Sequence, residues 1–318
     1  MAGHGGNKAV VAALAANTGI ALTKLLAWVL TSSTSMLAEA IHSFADSGNQ
    51  ALLLVGAKRS KREATPEHPF GFGRERYVYA FLVAIVLFSL GGLFALYEAY
   101  HKWHEVHAGH PDELLESRWW WVPLAVLVAA IAMEAFSFRT AIAESNKLRG
   151  DSGWWAFIRG AKAPELPVIL LEDCAALLGL VFALLGVSLT LLTGNAYFDV
   201  IGAAAIGTLL VVVAVVLAVE VKSLLIGESA SPDAVARIRA AIGRTAGVTG
   251  VIHLKTLHIS PETLLVAAKI GVAPDASAQD VAQAIDTAEA NIRADEPMAR
   301  TIYLEPDIYR ASVSDATG

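Results

Sequence analysis

The sequence predicts an α-helical membrane domain followed by a small α+β domain. Of its 318 residues, 55% are hydrophobic and only 17% are charged, whereas about 25% of a typical soluble domain is charged. Apolar segments of about twenty residues, long enough to cross a hydrocarbon core of about 30 Å, recur through the first 225 positions. The remaining residues have ordinary soluble composition, so we expect two domains, residues 1–225 and residues 226–318.

The first domain is predicted to contain six transmembrane helices. The connections between spans two and three and between spans four and five are rich in Lys and Arg, whereas the others carry few. The positive-inside rule therefore places these basic loops and both chain termini in the cytoplasm. The predicted spans run Val10–Leu30, Met36–Gly56, Tyr77–Tyr100, Trp119–Ala141, Pro167–Leu192 and Phe198–Leu225.

The second domain is predicted to have the order α-β-β-α-β. Residues 231–247 have helical periodicity, residues 251–260 and 263–272 form two strands around a turn, and residues 300–309 form a third strand. Residues 277–295 form the second helix, with Ser277 and Asp280 as an N-terminal cap. This order predicts helices packed on an antiparallel or mixed sheet, in a module that regulates or dimerises.

Charge and cysteine content exclude two kinds of partner or site. The net charge of −6 and the lack of a basic patch argue against a nucleic-acid partner. A single cysteine, Cys174, excludes an intramolecular disulfide and any multi-cysteine metal site.

The stretch LAEAIHSFAD places Glu39, His42 and Asp46 on one face of span two. An ionisable side chain at mid-membrane costs about 3 kcal/mol on insertion scales, and such residues are by default functional. An imidazole and a carboxylate one helical turn apart suit Zn²⁺ better than Mg²⁺ or Ca²⁺. The alternative is a buried hydrogen-bonded pair, His42 with Asp46, that only joins helices.

The other spans carry few ionisable residues. Asp173 on span five is a candidate third ligand, and Glu172 lies beside it. Glu134 on span four either pairs with Lys24 or belongs to a proton path, and we expect the long side chain of Lys24 to extend to the outer interface.

Four motifs carry a resemblance to a known family: EAIHS followed by AD and NQ, LLEDCAALLG, SLLIGE and IYLEPD. They make the chain similar to the cation diffusion facilitators, proton-coupled exporters of divalent metals, and most similar to the zinc transporter nine-like branch with its bacterial relatives. The resemblance covers nearly the whole chain. It implies a ferredoxin-like cytoplasmic domain, a homodimer and, through the bacterial relatives, a location in a bacterial inner (plasma) membrane.

The resemblance also implies site residues. His42 and Asp46 fall on the two metal ligands of span two, and Asp173 falls on the second ligand of span five. Ile169 stands where the family has His or Asp, so Glu172, Glu39 or a water molecule is left for the fourth position. A second family site would include His68, but Phe72 stands at its partner position, so we expect that site to be weak or absent.

Histidines elsewhere leave two alternatives open. His101, His104, His107 and His110 recur at every third residue of the outer loop, either as a weak metal-collecting patch or as an ordinary solvated loop. In the soluble tail, His253 and His258 are five apart on one strand and so point to opposite faces.

The resulting hypothesis is efflux of a divalent cation, Zn²⁺ first, in exchange for protons. Lipid and the two transported ions are the expected partners, and we expect no permanently bound cofactor. The alternatives are Mn²⁺ or Fe²⁺ as the main substrate, and a membrane metal sensor or scaffold that does not translocate. An intramembrane metalloenzyme would need a motif of the HExxH type, which the sequence lacks.

Overall fold

The computed structural model describes residues 17–26, 34–109 and 118–308, together with residues 11, 14, 15, 29 and 115. Within residues 34–45 it describes the backbone throughout but not the side chains of residues 34–42 and 45. The chain divides into two compact units, which we call the helical unit and the α+β unit. The helical unit comprises Met1–Arg62 with Glu75–Lys222, and the α+β unit comprises Glu63–Arg74 with Ser223–Gly318.

The helical unit consists of long helices. Residues 17–26 are helical, and the helices after them are α1 (Thr34–Arg59), α2 (Glu75–His107), α3 (Trp121–Arg149), α4 (Trp154–Gly160), α5 (Glu165–Thr193) and α6 (Tyr197–Ile226). Within the described residues, four of these helices, α2, α3, α5 and α6, are long and apolar enough to cross a membrane. The second predicted span forms α1, which is 26 residues long. The first predicted span is described only in part, so the count of six stays a prediction.

The four long apolar helices extend beyond the spans predicted for them. For example, α3 continues past Ala141 to Arg149, and α2 continues past Tyr100 to His107. The prediction ended each span near the end of its apolar run, but polar residues that follow, such as Glu144 and Lys147, are good helix formers and form an ion pair on α3. The short helix α4 lies where the sequence predicts only a loop.

Helix α2 contains a π-helical segment, Leu87–Leu93, in its middle. Gly92 in this segment is buried and packs closely against Val211 of α6. A glycine pair, Gly186 and Gly202, permits a similarly close approach of α5 to α6, since a Cβ on either residue would lie 3.0–3.1 Å from a carbonyl oxygen of the other helix. These positions allow the backbones to pack without intervening side chains.

The core of the helical unit is drawn from all its long helices. Leu53 of α1, Val83 of α2, Ile169 of α5 and Leu217 of α6 are each at most 2% exposed and belong to one apolar cluster. Beside this core, the guanidinium of Arg76 donates two hydrogen bonds to the carboxylate of Glu165, one of them 2.8 Å long, and joins α2 to α5.

The α+β unit has the order predicted from the sequence, with helices α7 (Pro232–Gly243) and α8 (Ala278–Asp295) and strands β1 (Val248–Ser260), β2 (Thr263–Val272) and β3 (Ala299–Asp307). The sheet order is β1-β2-β3, with β1 antiparallel and β3 parallel to β2. The sheet is therefore mixed. Its core includes Ile238 of α7, Ile270 of β2 and Ile292 of α8, all fully buried.

The helix caps of this unit follow from its sequence. Ser277 accepts a hydrogen bond from the backbone amide of Asp280, and Asp280 accepts one in return from the amide of Ser277, which confirms the predicted cap as a reciprocal capping box. Ser231 caps α7 by accepting from the amide of Ala234, and Pro232 occupies the first helical turn.

The loop that follows α1 belongs to the α+β unit. Gly73 in this loop lies directly against Ser260 at the end of β1, so closely that a larger residue at position 73 would clash. His68 of the same loop packs against Phe72 with the two rings tilted and 4.6 Å between their centroids.

Candidate metal centre

Asp173 is the most deeply buried of the predicted ligands whose side chains the structure describes, at 1% exposure on α5. Its Oδ2 accepts a hydrogen bond of 2.8 Å from the hydroxyl of Ser137 on α3. Its Oδ1 is also buried, and it has no hydrogen-bond partner among the described residues. A buried carboxylate oxygen without a donor is energetically costly, and a bound cation would compensate it.

Asp46 lies on α1, half-buried, and lines a cavity within the helical unit that we call the central cavity. Glu134 of α3 lines the same cavity and is 2% exposed. The charge of Asp46 acts on Glu134, on Glu172 and on Asp173, so acidic side chains from α1, α3 and α5 lie near one another inside the bundle. Neighbouring carboxylates in an apolar interior repel one another, and a divalent cation relieves that repulsion.

His42 and Glu39 lie on α1, and the structure describes only their backbone. His42 precedes Asp46 by four residues of continuous helix, which places both on one face of α1. The positions of the imidazole of His42 and the carboxylate of Glu39 lie outside the described side chains. Their assignment as ligands stays a prediction.

Glu172 is buried and fully hydrogen-bonded, unlike Asp173. Its Oε1 accepts from the amide of Asn49 at 2.9 Å, and its Oε2 accepts from the amide of Gln50 at 3.2 Å. Both amides come from α1, so Glu172 joins α1 to α5. Sequence reasoning missed Asn49 and Gln50 as partners, although two amides in an apolar run one turn after Asp46 were a signal.

Ile169 lies one turn before Asp173 and is fully buried in the apolar core. Its side chain contributes packing and offers no donor atom to a cation. Any fourth ligand must therefore come from elsewhere.

Lys24 does not extend to an interface, and that prediction is wrong. Its side chain is 4% exposed, and its ammonium donates a hydrogen bond of 3.0 Å to the hydroxyl of Ser43 on α1. It lines the central cavity together with Asp46 and Glu134. Both roles predicted for Glu134, a pairing with Lys24 and a place on a proton path, stay predictions.

Among the side chains that the structure describes, no three His, Cys, Asp or Glu residues converge closely enough to form a metal site by themselves. Three histidines that the sequence predicts in a loop, His101, His104 and His107, lie on α2, where His104 contacts Tyr100 and His107 stacks on Trp103. His253 is exposed and His258 is buried, as expected for opposite faces of a strand. His110 lies outside the described residues.

Comparison with known families matches almost the whole chain. Residues 10–226 match the family model described as the cation efflux transmembrane domain. Residues 230–307 match the model described as the cation efflux protein, cytoplasmic domain.

Comparison with individual proteins finds several similar transporters. The mitochondrial proton-coupled zinc antiporter of Xenopus laevis is 36% identical over 74% of this chain and 41% of its own length. The human antiporter of the same name is 31% identical over 80% of this chain and 44% of its own. The metal tolerance protein C4 of Arabidopsis thaliana is 28% identical over 83% of this chain and 56% of its own. The chain thus spans about half the length of the relatives it matches.

Proposed function

Because this chain belongs to the cation efflux family, we propose that it moves a divalent metal ion, Zn²⁺ first, out of the cytoplasm in exchange for protons. Support for the antiport comes from the similar proteins that are named as proton-coupled zinc antiporters. Support for the metal site comes from one observation above all, the buried Oδ1 of Asp173, which has no hydrogen-bond donor among the described residues and lies within reach of the charge of Asp46.

The proposed ligands are His42 and Asp46 from α1 and Asp173 from α5. Ser137 orients the carboxylate of Asp173 by holding Oδ2, which leaves Oδ1 to the ion. The fourth position is open to Glu172, Glu39 or water. Each oxygen of Glu172 already accepts one hydrogen bond, and the bond to Gln50 is the longer of the two.

Protons and metal compete for the same atoms in this scheme. Metal binding requires a neutral imidazole and ionised carboxylates, so loading from the cytoplasm releases protons. When the bundle opens to the other side, protons from a more acidic compartment displace the ion. One shared site thereby couples export to the proton gradient.

Zinc is favoured over Mn²⁺ or Fe²⁺ by the imidazole in the ligand set. Nitrogen donors with carboxylates suit Zn²⁺, whereas sites made only of oxygen suit the harder cations. Mn²⁺ and Fe²⁺ remain the alternative substrates to be compared in flux.

The wider arrangement is also proposed. Residues 1–225 form a domain of six spans, in which residues 10–30 and α1 supply the two spans beyond the four long apolar helices. Residues 226–318 form a cytoplasmic domain through which two copies dimerise. The bacterial inner membrane is the proposed location.

Purified protein in vesicles that contain a zinc-sensitive dye tests the proposal. We expect saturable Zn²⁺ flux that depends on a pH gradient and that Asp46→Asn or Asp173→Asn reduces at least 100-fold, on the order of the loss of a first-sphere metal ligand. Glu105→Gln is the matched control, because Glu105 is an exposed carboxylate paired only with His101 in the described part of the chain.

Two outcomes would overturn the proposal. Zn²⁺ binding that is lost with Asp173→Asn, without any flux in the wild type, would favour a sensor or scaffold. Flux that is unchanged by both variants would remove the assigned site.

A further inference from the structure

The central cavity is lined by a lysine as well as by acidic groups. Lys24, Asp46 and Glu134 line it together with the polar side chains of Asn17 and Ser43. Of these residues Asn17, Lys24, Ser43 and Glu134 are at most 5% exposed. A buried ammonium is costly unless opposite charge compensates it.

The hydrogen bond to Ser43 positions Lys24 but does not neutralise it. A hydroxyl carries no net charge, so the 3.0 Å bond from the ammonium to Ser43 satisfies only one of the three donors of the ammonium. Asp46 and Glu134 line the same cavity and are the acidic groups placed to compensate the charge. Ser43 precedes Asp46 by three residues of α1, so the two are neighbours on that helix and the ammonium is tethered beside Asp46.

We propose that Lys24 is a tethered counter-cation of the central cavity, which balances Asp46 and Glu134 when no metal is bound and weakens metal binding so that the ion is released. The inference rests on the proposed function, since it concerns the ion that Asp46 binds. A metal ion entering beside the ammonium meets repulsion between like charges. The same repulsion speeds the departure of the ion. Lys24 therefore lowers the affinity for the ion and raises the maximal rate of transport.

Isothermal titration of the detergent-solubilised full chain with Zn²⁺ tests this role, at about pH 8, where carboxylates and imidazoles of ordinary pKa are deprotonated. We expect Lys24→Gln to bind Zn²⁺ at least about tenfold more tightly than the wild type, the scale of one charge acting across a partly polar site. Lys24→Met is a second uncharged variant, which keeps the length of the side chain and covers a failure of the first to fold. Lys24→Arg retains the charge and is expected to bind Zn²⁺ as the wild type does.

Flux in vesicles gives the second readout. Lys24→Gln and Lys24→Met are expected to lower both the KM for Zn²⁺ and the maximal rate, whereas a merely structural lysine would lower the rate without lowering KM. Unchanged or weaker Zn²⁺ binding by both uncharged variants would overturn the role of Lys24 and leave the proposed function intact. A wild type that binds no Zn²⁺ would overturn the proposed function and this inference with it.

Discussion

Asn49 donates its side-chain amide to Oε1 of Glu172 at 2.9 Å, and this bond joins α1 to α5 in the interior of the helical unit. Gln50 donates to the other oxygen of the same carboxylate. Two adjacent acidic residues of α5 therefore have different surroundings, since Asp173 has one buried oxygen without a donor among the described residues. The difference separates a helix-joining carboxylate from a carboxylate that has an oxygen to offer to the proposed ion.

Glu172→Gln is expected to weaken Zn²⁺ binding much less than Asp173→Asn does. Both oxygens of Glu172 already accept hydrogen bonds, so the ion gains little from it, whereas Asp173 offers an oxygen that nothing else satisfies. Titration calorimetry of both variants makes the comparison. If Glu172→Gln and Asp173→Asn lowered the Zn²⁺ affinity equally, Glu172 would be as important a ligand as Asp173.

Ser137→Ala is expected to weaken Zn²⁺ binding by roughly tenfold, the lower end of the effect of losing a group that orients a metal ligand. Its hydroxyl holds Oδ2 of Asp173, and without it the carboxylate can rotate. Ser145→Ala is a matched control on the same helix, because Ser145 is fully buried and its hydroxyl has no hydrogen-bond partner in the described part of the chain. A variant at position 137 that binds Zn²⁺ like the control would refute the orienting role.

Gly92→Ala is expected to destabilise the helical unit by about 1–3 kcal/mol, the usual range for overpacking. A Cβ at position 92 would lie 2.7 Å from a methyl carbon of Val211 and 3.1 Å from its backbone nitrogen, so α2 and α6 would have to separate. Gly48→Ala on α1 is the control, because a Cβ there meets nothing within 4 Å, and alanine favours the helix by about 1 kcal/mol. Thermal unfolding of the solubilised protein distinguishes the two variants. Equal unfolding midpoints for Gly92→Ala and Gly48→Ala would contradict the close packing of α2 against α6.

The capping box of α8 is expected to lose its stabilising effect in acid. The hydroxyl and the backbone amide of Ser277 donate to Asp280 and lower the pKa of that carboxyl below its ordinary value. A carboxyl whose pKa is lower in the folded than in the unfolded protein stabilises the fold. This stabilisation is fully present above the pKa of the unfolded state, about 3.9, and it is lost as the pH falls through the pKa of the folded state. Hydrogen exchange of the first turn of α8 in the full chain, corrected for intrinsic rates, is therefore expected to accelerate below about pH 4.

Ser277→Ala is expected to raise exchange in that turn roughly fivefold at neutral pH, the scale of a lost helix cap, and to flatten its acid dependence. Ser231→Ala at α7 is the control. The hydroxyl of Ser231 accepts a hydrogen bond from the backbone amide of Ala234, but the residue at that position is alanine, so no carboxylate returns a bond to the cap. A similar acid dependence at both caps would show that protonation acts elsewhere.

The α+β unit was more predictable than the candidate site because its signals are local. The Ser277–Asp280 cap, the turn between β1 and β2 and the alternation along the strands each involve neighbouring residues. Positions 42, 46 and 173 were also found from local motifs and a family resemblance, and their role as ligands is still a prediction. The bonds from Asn49 to Glu172, from Ser137 to Asp173 and from Lys24 to Ser43 join distant parts of the chain, and a local pattern can mark such a polar residue but cannot name its partner.

Hydropathy likewise predicts that a segment is apolar, but not how its backbone is wound. The π-helical segment of α2 lies in a run that reads as one uninterrupted apolar span, and the short helix α4 lies in a run that reads as a loop. In the structure Gly92 of the π-helical segment lies against Val211 of α6, and Ile158 of α4 belongs to the apolar core, and composition does not predict such contacts.

The wider winding at Leu87–Leu93 also sets the rotational phase of α2. A π-helical turn takes up about one more residue than an α-helical turn, so the portion beyond it is rotated by roughly 100° from where an unbroken α-helix would put it. The direction in which Tyr100, Trp103 and His107 project from the helix axis therefore depends on the π-helical segment two to four turns earlier. Deleting a single residue from the segment would swing this aromatic end around the axis of the helix while leaving Glu75–Val86 in place.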